Sequence, residues 1–203
     1  MNTVLILFAH PRFEKSRANR ALLSALHHET HVTIHDLYEQ YPDFNIDTAS
    51  EKNLLLSHDI VVWHYPFYMF SAPPMIKQWI DLVLEHGWAH GEGGCNMANK
   101  IVFNAITTGG AREGYSRSGY NRYSLREFLV PFEQTAHLCN MTYLPPFAVQ
   151  GTYRLKESEL QEAALLYKQL LHRLALGTFR IEEIVKYELL NDWLAHCHKQ
   201  EAS

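Results

Sequence analysis

The sequence predicts an α/β fold in which a parallel sheet of five strands is covered by helices on both faces. Apolar runs typical of buried parallel strands alternate with segments whose apolar residues recur at helical spacing. Alternation of this kind indicates repeated β–α units. The chain has 203 residues, of which 47% are hydrophobic, so it is long enough to bury one core of ordinary domain size.

The predicted strands and helices follow one another in a regular order. Strands are predicted over residues 3–9, 31–36, 59–64, 100–106 and 141–149. Helices are predicted over residues 19–28, 48–57, 75–85, 124–139 and 156–176. Five such units fit a flavodoxin-like three-layer sandwich with the strand order 2-1-3-4-5. The alternative is a six-stranded dinucleotide-binding sheet, but its glycine fingerprint is absent after the first strand.

A further helical segment follows Gly177, where the preceding helix is expected to end. Residues 1–176 are therefore predicted to form the flavodoxin-like domain, and residues 177–203 a C-terminal extension. Apolar residues recur at roughly helical spacing over residues 181–198, which predicts an extra helix there. Such a stripe packs either on its own domain or on a partner chain in a dimer.

Charge and cysteine content exclude several classes of protein. The formal net charge of −4 provides no basic field for binding nucleic acid. The three cysteines are an odd number without CxxC spacing, which favours reduced thiols in the cytoplasm. No apolar stretch approaches the roughly 20 residues that span a membrane. The apolar amino terminus lacks a basic region and a cleavage site, so we interpret it as a strand and not a signal.

The loop after the first strand concentrates positive charge. It contains Arg12, Lys15 and Arg17 around Ser16, immediately before the first helix. A phosphate group at this place would meet free backbone N–H groups of the helix together with the serine hydroxyl. The alternative is a solvated loop in which Ser16 only caps the helix.

Two other loops are expected at the same edge of the sheet. Residues 65–77 follow the third strand and are rich in aromatic side chains, which predicts a flat apolar floor suited to a flavin ring. Gly109 and Gly110 follow the fourth strand and allow the backbone to approach a ligand. Packed core aromatics and an ordinary glycine turn are the alternatives. In the order 2-1-3-4-5, however, these loops meet where ligands bind.

The histidines do not predict a metal site. The chain contains 13 of them, but the group from His27 to His35 spans a helix end and a strand without a shared face. His86 and His90 have helical spacing in a glycine-rich segment that is not expected to form a helix.

The chain resembles the NAD(P)H:quinone oxidoreductase (DT-diaphorase-like) flavoproteins, and among them the bacterial ancillary subunits of glutathione-gated Kef potassium-efflux systems. The resemblance covers roughly residues 3–176. It depends on several motifs, namely Ala9-His10-Pro11, Asp36-Leu37-Tyr38, Tyr41-Pro42-Asp43-Phe44-Asn45-Ile46-Asp47, Lys77-x-Trp79-x-Asp81, His86-Gly87-Trp88-Ala89, Thr107-Thr108-Gly109-Gly110 and Leu144-Pro145-Pro146.

The resemblance implies a set of cofactor-binding residues and one catalytic residue. The flavin phosphate and ribityl chain would be held by His10, Ser16, Arg17, Ala18 and Asn19. The flavin ring would be lined by Pro66, Phe67, Tyr68 and Met69, the last three of which depart from the usual family residues. The pyrimidine side of the ring would be bound by Thr107, Thr108, Gly109 and Gly110.

Tyr115 matches the tyrosine that, in this family, assists hydride transfer. Vertebrate members have a histidine six residues beyond that tyrosine, whereas this chain has Asn121.

The implied activity is two-electron, ping-pong transfer from NAD(P)H to a quinone or another flat acceptor. FMN is the expected cofactor, with FAD as the alternative, in a cytoplasmic homodimer. A second hypothesis is a regulatory ancillary subunit of a membrane potassium/proton antiporter, which would place the chain peripherally at the inner membrane. A third is a one-electron flavodoxin-type carrier, although the net charge does not provide the strongly acidic docking face that it needs.

Overall fold

The computed structural model describes residues 1–201 and contains a parallel sheet between two layers of helices. The strands follow the order β2-β1-β3-β4-β5, and β6 also pairs with β4. They are β1 (Val4–Phe8), β2 (Val32–Asp36), β3 (Ile60–Pro66), β4 (Ile101–Thr107), β5 (Thr142–Tyr143) and β6 (Phe147–Val149). This arrangement confirms the predicted flavodoxin-like α/β fold and its strand order.

The helices occupy connections between strands and the segment after β6. They are α1 (Arg17–Ser24), α2 (Leu37–Gln40), α3 (Thr48–Leu56), α4 (Pro74–Val83), α5 (Leu125–Phe128), α6 (Val130–Leu138), α7 (Glu157–Leu176), α8 (Ile181–Ile184) and α9 (Leu190–Glu201). Two short 3-10 turns lie at Phe13–Lys15 and Arg112–Gly114.

The predicted fifth strand is two short strands, so the sheet has six strands and not five. Tyr143 pairs with Val102, and Phe147 pairs with Ala105, on the same side of β4. Pro145 and Pro146 lie between the two pieces and have no backbone N–H to donate to β4. The prolines therefore interrupt the ladder without changing the path of the chain.

Two of the predicted helices are also interrupted. The helix expected over residues 124–139 is divided into α5 and α6 at Leu129, two residues before Pro131. The helix expected over residues 181–198 is divided into α8 and α9. Between them, the carbonyl groups of Val185 and Tyr187 accept hydrogen bonds of 3.3 Å from the Arg126 guanidinium.

The sheet is buried on both faces by two apolar clusters. Successive residues of β1 alternate between them, with Leu5 and Leu7 on one face and Ile6 and Phe8 on the other. The first face is covered by α4 and α6, and the second by α1, α7 and α9. Continuous apolar strands are the expected consequence of burial on both faces.

The C-terminal helix α9 packs on the body of the chain. Leu190, Trp193 and Leu194 are buried in the same cluster as the apolar side of α7. The Asn191 side chain accepts a hydrogen bond of 2.9 Å from the N–H of Ala148 in β6 and donates one of 3.1 Å to its carbonyl. Residues 202 and 203 of the predicted extension lie outside the described residues. Within residues 1–201, none of the helices combines the length and apolar character needed to cross a membrane.

A buried carboxylate links four segments of the chain by hydrogen bonds on the first face of the sheet. Glu51 of α3 accepts hydrogen bonds from the Tyr41 hydroxyl at 2.6 Å, the His35 Nε2 at 2.7 Å and the Trp79 indole N–H at 2.7 Å. Burial acts to raise the pKa of Glu51, but these three hydrogen bonds outweigh it and hold the pKa below its usual range. The charged form is thus the stable form in the fold.

We predict that Glu51→Gln lowers the free energy of unfolding at pH 7 by about 1–3 kcal/mol, because the amide NH₂ cannot accept from the buried donors. The pKa of Glu51 is lower in the folded state than in the unfolded state. Its contribution is therefore complete above the unfolded pKa and is lost as the pH falls through the folded pKa. The difference between the variant and the wild type is expected to narrow between pH 7 and about pH 3.5.

Urea denaturation at both pH values measures this difference. Glu162→Gln, at an exposed position of α7, is the matched control and is expected to leave stability unchanged. Equal stability of the Glu51→Gln variant and the wild type at pH 7 would contradict the role assigned to this carboxylate.

Candidate functional site

A cavity of about 620 Å³ lies at the carboxyl edge of the sheet. It is enclosed by the loops that follow β1, β3, β4 and β6. The sequence-predicted residues on its wall are His10, Ser16, Arg17, Ala18, Asn19, Pro66, Phe67, Tyr68, Met69, Thr107 and Gly109. The structure therefore brings most of the predicted binding residues to one place.

Three predicted residues do not lie on this wall. Thr108 is buried, and its hydroxyl donates a hydrogen bond of 2.7 Å to the carbonyl of Gly110, so it shapes the loop after β4. Gly110 belongs to the same loop, next to the Tyr115 ring. Tyr115 borders a separate small recess of about 30 Å³, next to Leu125.

Four lining residues were not among the predicted site residues. Arg12 and Lys15 belong to the charged loop after β1, and Thr152 and Tyr153 follow β6. The position of Thr152 and Tyr153 directly after the last strand is the signal that would have identified them. The backbone N–H of Thr152 donates to the Thr108 carbonyl at 3.0 Å, which fixes the loop against β4.

Ser16 begins helix α1 and faces the cavity. Its side-chain oxygen accepts a hydrogen bond of 3.2 Å from the N–H of Asn19. The N–H groups of Arg17 and Ala18 have no acceptor within the helix, because the first turn of any helix lacks one. An anion at this position would meet these N–H groups and the positive end of the helix dipole.

The buried Asn19 side chain connects this helix to two strands. Its Nδ2 donates to the Ser16 Oγ at 2.9 Å and to the Thr107 Oγ1 at 3.0 Å. Its Oδ1 lies 3.0 Å from the Nε2 of His64. Since Ser16 and Thr107 both accept from Asn19, their own hydroxyl hydrogens remain available to donate into the cavity.

The Asn19 oxygen determines the tautomer of His64. The His64 ring is completely buried, and burial, with a smaller contribution from His10, lowers its pKa to about 3. The ring is therefore neutral. Since the Asn19 oxygen is an acceptor, the His64 Nε2 carries the proton, and the Nδ1 accepts from the Tyr167 hydroxyl at 3.2 Å.

His10 adds a neutral donor to the wall. Its Nδ1 accepts a hydrogen bond of 3.0 Å from the N–H of Arg12. Burial lowers its pKa, against an opposing effect of Glu14, so the neutral ring carries its proton on Nε2. That nitrogen lies 3.5 Å from the Tyr68 hydroxyl.

A tight turn after β3 forms the aromatic side of the cavity. Tyr68 and Ser71 exchange two backbone hydrogen bonds of 3.0 Å, and the two residues between them, Met69 and Phe70, have φ angles of 44° and 67°. Such angles are strained for side chains of this size. The Phe70 ring stacks on Phe128 with centroids 5.0 Å apart, which holds the turn in place.

The two glycines after β4 are closely approached by tyrosine rings. A Cβ at Gly109 would lie 2.3 Å from the Tyr153 ring, and a Cβ at Gly110 would lie 3.2 Å from the ring and the hydroxyl of Tyr115. Any larger residue at Gly109 would displace Tyr153 from the cavity. Burial raises the pKa of Tyr115, against an opposing hydrogen bond with Thr108, so its phenol is protonated at neutral pH.

The donors and the wall fit one kind of ligand. Hydroxyl groups, free N–H groups and the cationic Arg12 and Lys15 lie at the end of the cavity formed by the loop after β1, which suits a phosphate monoester. The third cation of this loop, Arg17, is paired with Glu157 at 3.3 Å. The aromatic turn and the glycine backbone enclose the remaining space, which suits a flat conjugated ring.

A family model described as "Flavodoxin-like fold" matches residues 2–171 of the chain. A glutathione-regulated potassium-efflux system ancillary protein, KefG, of Serratia proteamaculans is 44% identical over 164 residues, which are 81% of this chain and 90% of that protein.

Two solved structures are also similar. General stress protein 14 of Treponema denticola, in complex with FMN, is 36% identical with a TM-score of 0.82, over 85% of this chain and 99% of that one. An NADPH-quinone reductase from P. pentosaceus is 28% identical with a TM-score of 0.75, over 83% of this chain and 96% of that one. The extent of the family match and the identity to these relatives establish that the chain belongs to the flavodoxin-like fold family.

Proposed function

We propose that the protein binds FMN in the cavity at the carboxyl edge of the sheet and acts as an NAD(P)H-dependent oxidoreductase. Its acceptor is a quinone or another flat molecule. The observation that carries the proposal is the pair of hydroxyl groups, on Ser16 and Thr107, whose oxygens accept from Asn19 and whose hydrogens are left for a ligand. The FMN-bound relative from Treponema denticola supports the choice of cofactor.

Different residues around the cavity would bind the phosphate and the ring of the ligand. The hydroxyls of Ser16 and Thr107, with the N–H groups at the start of α1, would bind the phosphate. Arg12 and Lys15 would supply compensating charge, which suits the single phosphate of FMN better than the longer diphosphate of FAD. Phe67 and the Tyr68 turn would line the ring and exclude water from it.

Bound FMN supplies two-electron hydride chemistry between a nicotinamide donor and a second acceptor. The chain's contribution is to orient the ring and to stabilise negative charge at its edge. The N–H group of Gly109, which lines the cavity, is proposed to donate there, and the N–H group of Gly110, the next residue in the loop but off the cavity wall, is proposed as a second donor. The protonated Tyr115 hydroxyl beside Gly110 is proposed to add a donor when charge develops.

No proton relay is proposed through Asn121. Its N–H donates to the Gly114 carbonyl at 2.9 Å, and its amide does not titrate. Proton exchange at Tyr115 would therefore run directly to solvent.

A homodimer is proposed as the functional unit. Phe70 and Tyr123 expose 45% and 47% of their surface, and both pack against Phe128 close to the cavity. Exposed aromatic rings at a site rim are typical of surfaces that a partner covers.

A second candidate function is that of an ancillary subunit on a membrane potassium/proton antiporter, with flavin in a structural or sensing role. The 44% identity to a KefG protein favours it. In that case the chain would sit in the cytoplasm against the inner membrane through its partner. The two functions differ in whether bound flavin is reduced rapidly by a nicotinamide.

Anaerobic stopped-flow absorbance separates them. Protein reconstituted with FMN is mixed with NADPH or NADH, and the flavin band near ~450 nm is followed. Rapid bleaching that a quinone reverses is the result expected of the oxidoreductase. Flavin that binds but stays oxidised would favour the ancillary subunit, and failure to bind flavin would overturn both.

We predict that Thr107→Val weakens FMN binding about tenfold, because the isosteric side chain removes one hydroxyl donor to the phosphate and leaves Asn19 short of an acceptor. Fluorescence quenching of FMN measures the dissociation constant. The control is Thr135→Val on α6, where the hydroxyl donates only to the Pro131 carbonyl. A Thr107→Val dissociation constant equal to that of the control would rule out this contact.

We predict that Tyr115→Phe slows flavin reduction roughly ten- to a hundredfold while FMN affinity is retained, because the lost hydroxyl acts on developing charge. Single-turnover reduction at saturating NADPH measures the rate. Tyr120→Phe is the control, since that side chain is 94% exposed. An unchanged rate in the Tyr115→Phe protein would remove Tyr115 from the mechanism.

A further inference from the structure

Three potential metal ligands meet at the amino-terminal edge of the sheet, on the opposite side from the cavity described above. Glu29 lies in the turn before β2, His31 directly precedes β2, and His172 projects from α7. One ligand atom from each of the three side chains lies within 4.8 Å of the other two. In the sequence, His172 is 141 positions from His31 and 143 from Glu29.

His31 has an unused ring nitrogen. Its side chain is only 9% exposed, and its Nε2 is buried without a hydrogen-bond partner among the described residues. Its Nδ1 lies 3.6 Å from the Glu29 Oε2, beyond normal hydrogen-bond distance. A buried nitrogen without a protein partner is costly unless a water or an ion pairs with it.

Two cationic side chains near the cluster, Lys168 and Arg173, each form an ion pair with a carboxylate. The Lys168 ammonium contacts Glu29 through Oε1 at 2.8 Å, which leaves Oε2 directed at His31. The Arg173 guanidinium is paired with Glu201 of α9. A metal-bound carboxylate commonly keeps such a partner on its second oxygen.

We propose that Glu29, His31 and His172 form a binding site for a divalent transition-metal ion, Zn²⁺. Two imidazoles and one carboxylate are ligands that zinc accepts at about 2.0–2.2 Å. The three ligand atoms now lie within 4.8 Å of one another. Rotation of His172, whose side chain is exposed, would bring them close enough for each to contact one ion. Water, or a side chain from α9, completes the tetrahedron.

A large open cavity gives an ion access to this site. It has a volume of about 820 Å³, and Glu29 and His172 line it together with His198 and Glu201 of α9. A bound ion would fasten the turn between α1 and β2 to α7, because its ligands come from both. The role proposed is therefore structural and is independent of the flavin site.

The test is titration of chelator-treated protein with ZnCl₂, followed by calorimetry and by thermal unfolding. We expect one Zn²⁺ per chain at this site, with a dissociation constant in the micromolar range or below. We also expect a rise in Tm of roughly 5 °C at a hundredfold excess of zinc over that constant. MgCl₂ is expected to have no effect, since magnesium prefers oxygen ligands in an octahedral arrangement.

Matched variants separate this site from the other histidines. His172→Ala, at an exposed position, is expected to weaken Zn²⁺ binding at least tenfold, and Glu29→Gln is expected to act in the same direction. His137→Ala, at an exposed position of α6, is expected to bind zinc as the wild type does.

Co²⁺ gives an independent readout, since tetrahedral coordination produces intense visible bands that His172→Ala would abolish. Zinc affinity that is the same in the His172→Ala and His137→Ala proteins, or no binding to the wild type, would overturn the proposal.

Discussion

The Asn19 side chain is the constraint on which the candidate site depends. Its amide hydrogens reach the Ser16 and Thr107 hydroxyls, and its oxygen accepts from His64. These contacts link the start of α1 to the ends of β3 and β4, inside a region where an unpaired polar group would be costly. A single buried amide thereby positions the loops around the cavity and orients two hydroxyls towards it.

His64 and Tyr167 extend this constraint across the sheet. A neutral His64 ring has one N–H group and can donate to only one of its two neighbours, Asn19 and Tyr167. It donates to the Asn19 oxygen and accepts from the Tyr167 hydroxyl. Protonation of His64 would add a hydrogen at Nδ1 and reverse the direction of the bond with the Tyr167 hydroxyl, while the Nε2–H bond to Asn19 would stay. Because burial lowers the pKa of His64 to about 3, the ring is neutral across the neutral pH range.

The fold could be predicted from the sequence because its strands are short apolar runs and its strand order follows from repeated β–α units. The break between β5 and β6 was not predicted, because only the structure shows that Pro145 and Pro146 interrupt the ladder with β4. Most of the cavity wall was predicted because it lies in loops directly after strands. Tyr153 was missed for lack of a motif, although it also follows a strand.

Sequence patterns do not predict contacts between residues that are far apart in the chain. The sequence predicts no metal site because His31 and its neighbours share no local face, whereas the structure places His31 and Glu29 beside His172 of α7. The Glu51 cluster likewise combines residues from three helices or loops with one strand. Each of these depends on packing that only the assembled sheet defines.

The proposed function requires that oriented hydroxyls and the start of α1 form a phosphate site within a flavin pocket. Equilibrium titration of the apoprotein with FMN and with riboflavin, which lacks the phosphate, measures the contribution of that site. Several charge-assisted hydrogen bonds to the phosphate predict that FMN binds at least about a hundredfold more tightly than riboflavin. Equal affinity for the two flavins, or no affinity for either, would contradict a phosphate site at the start of α1.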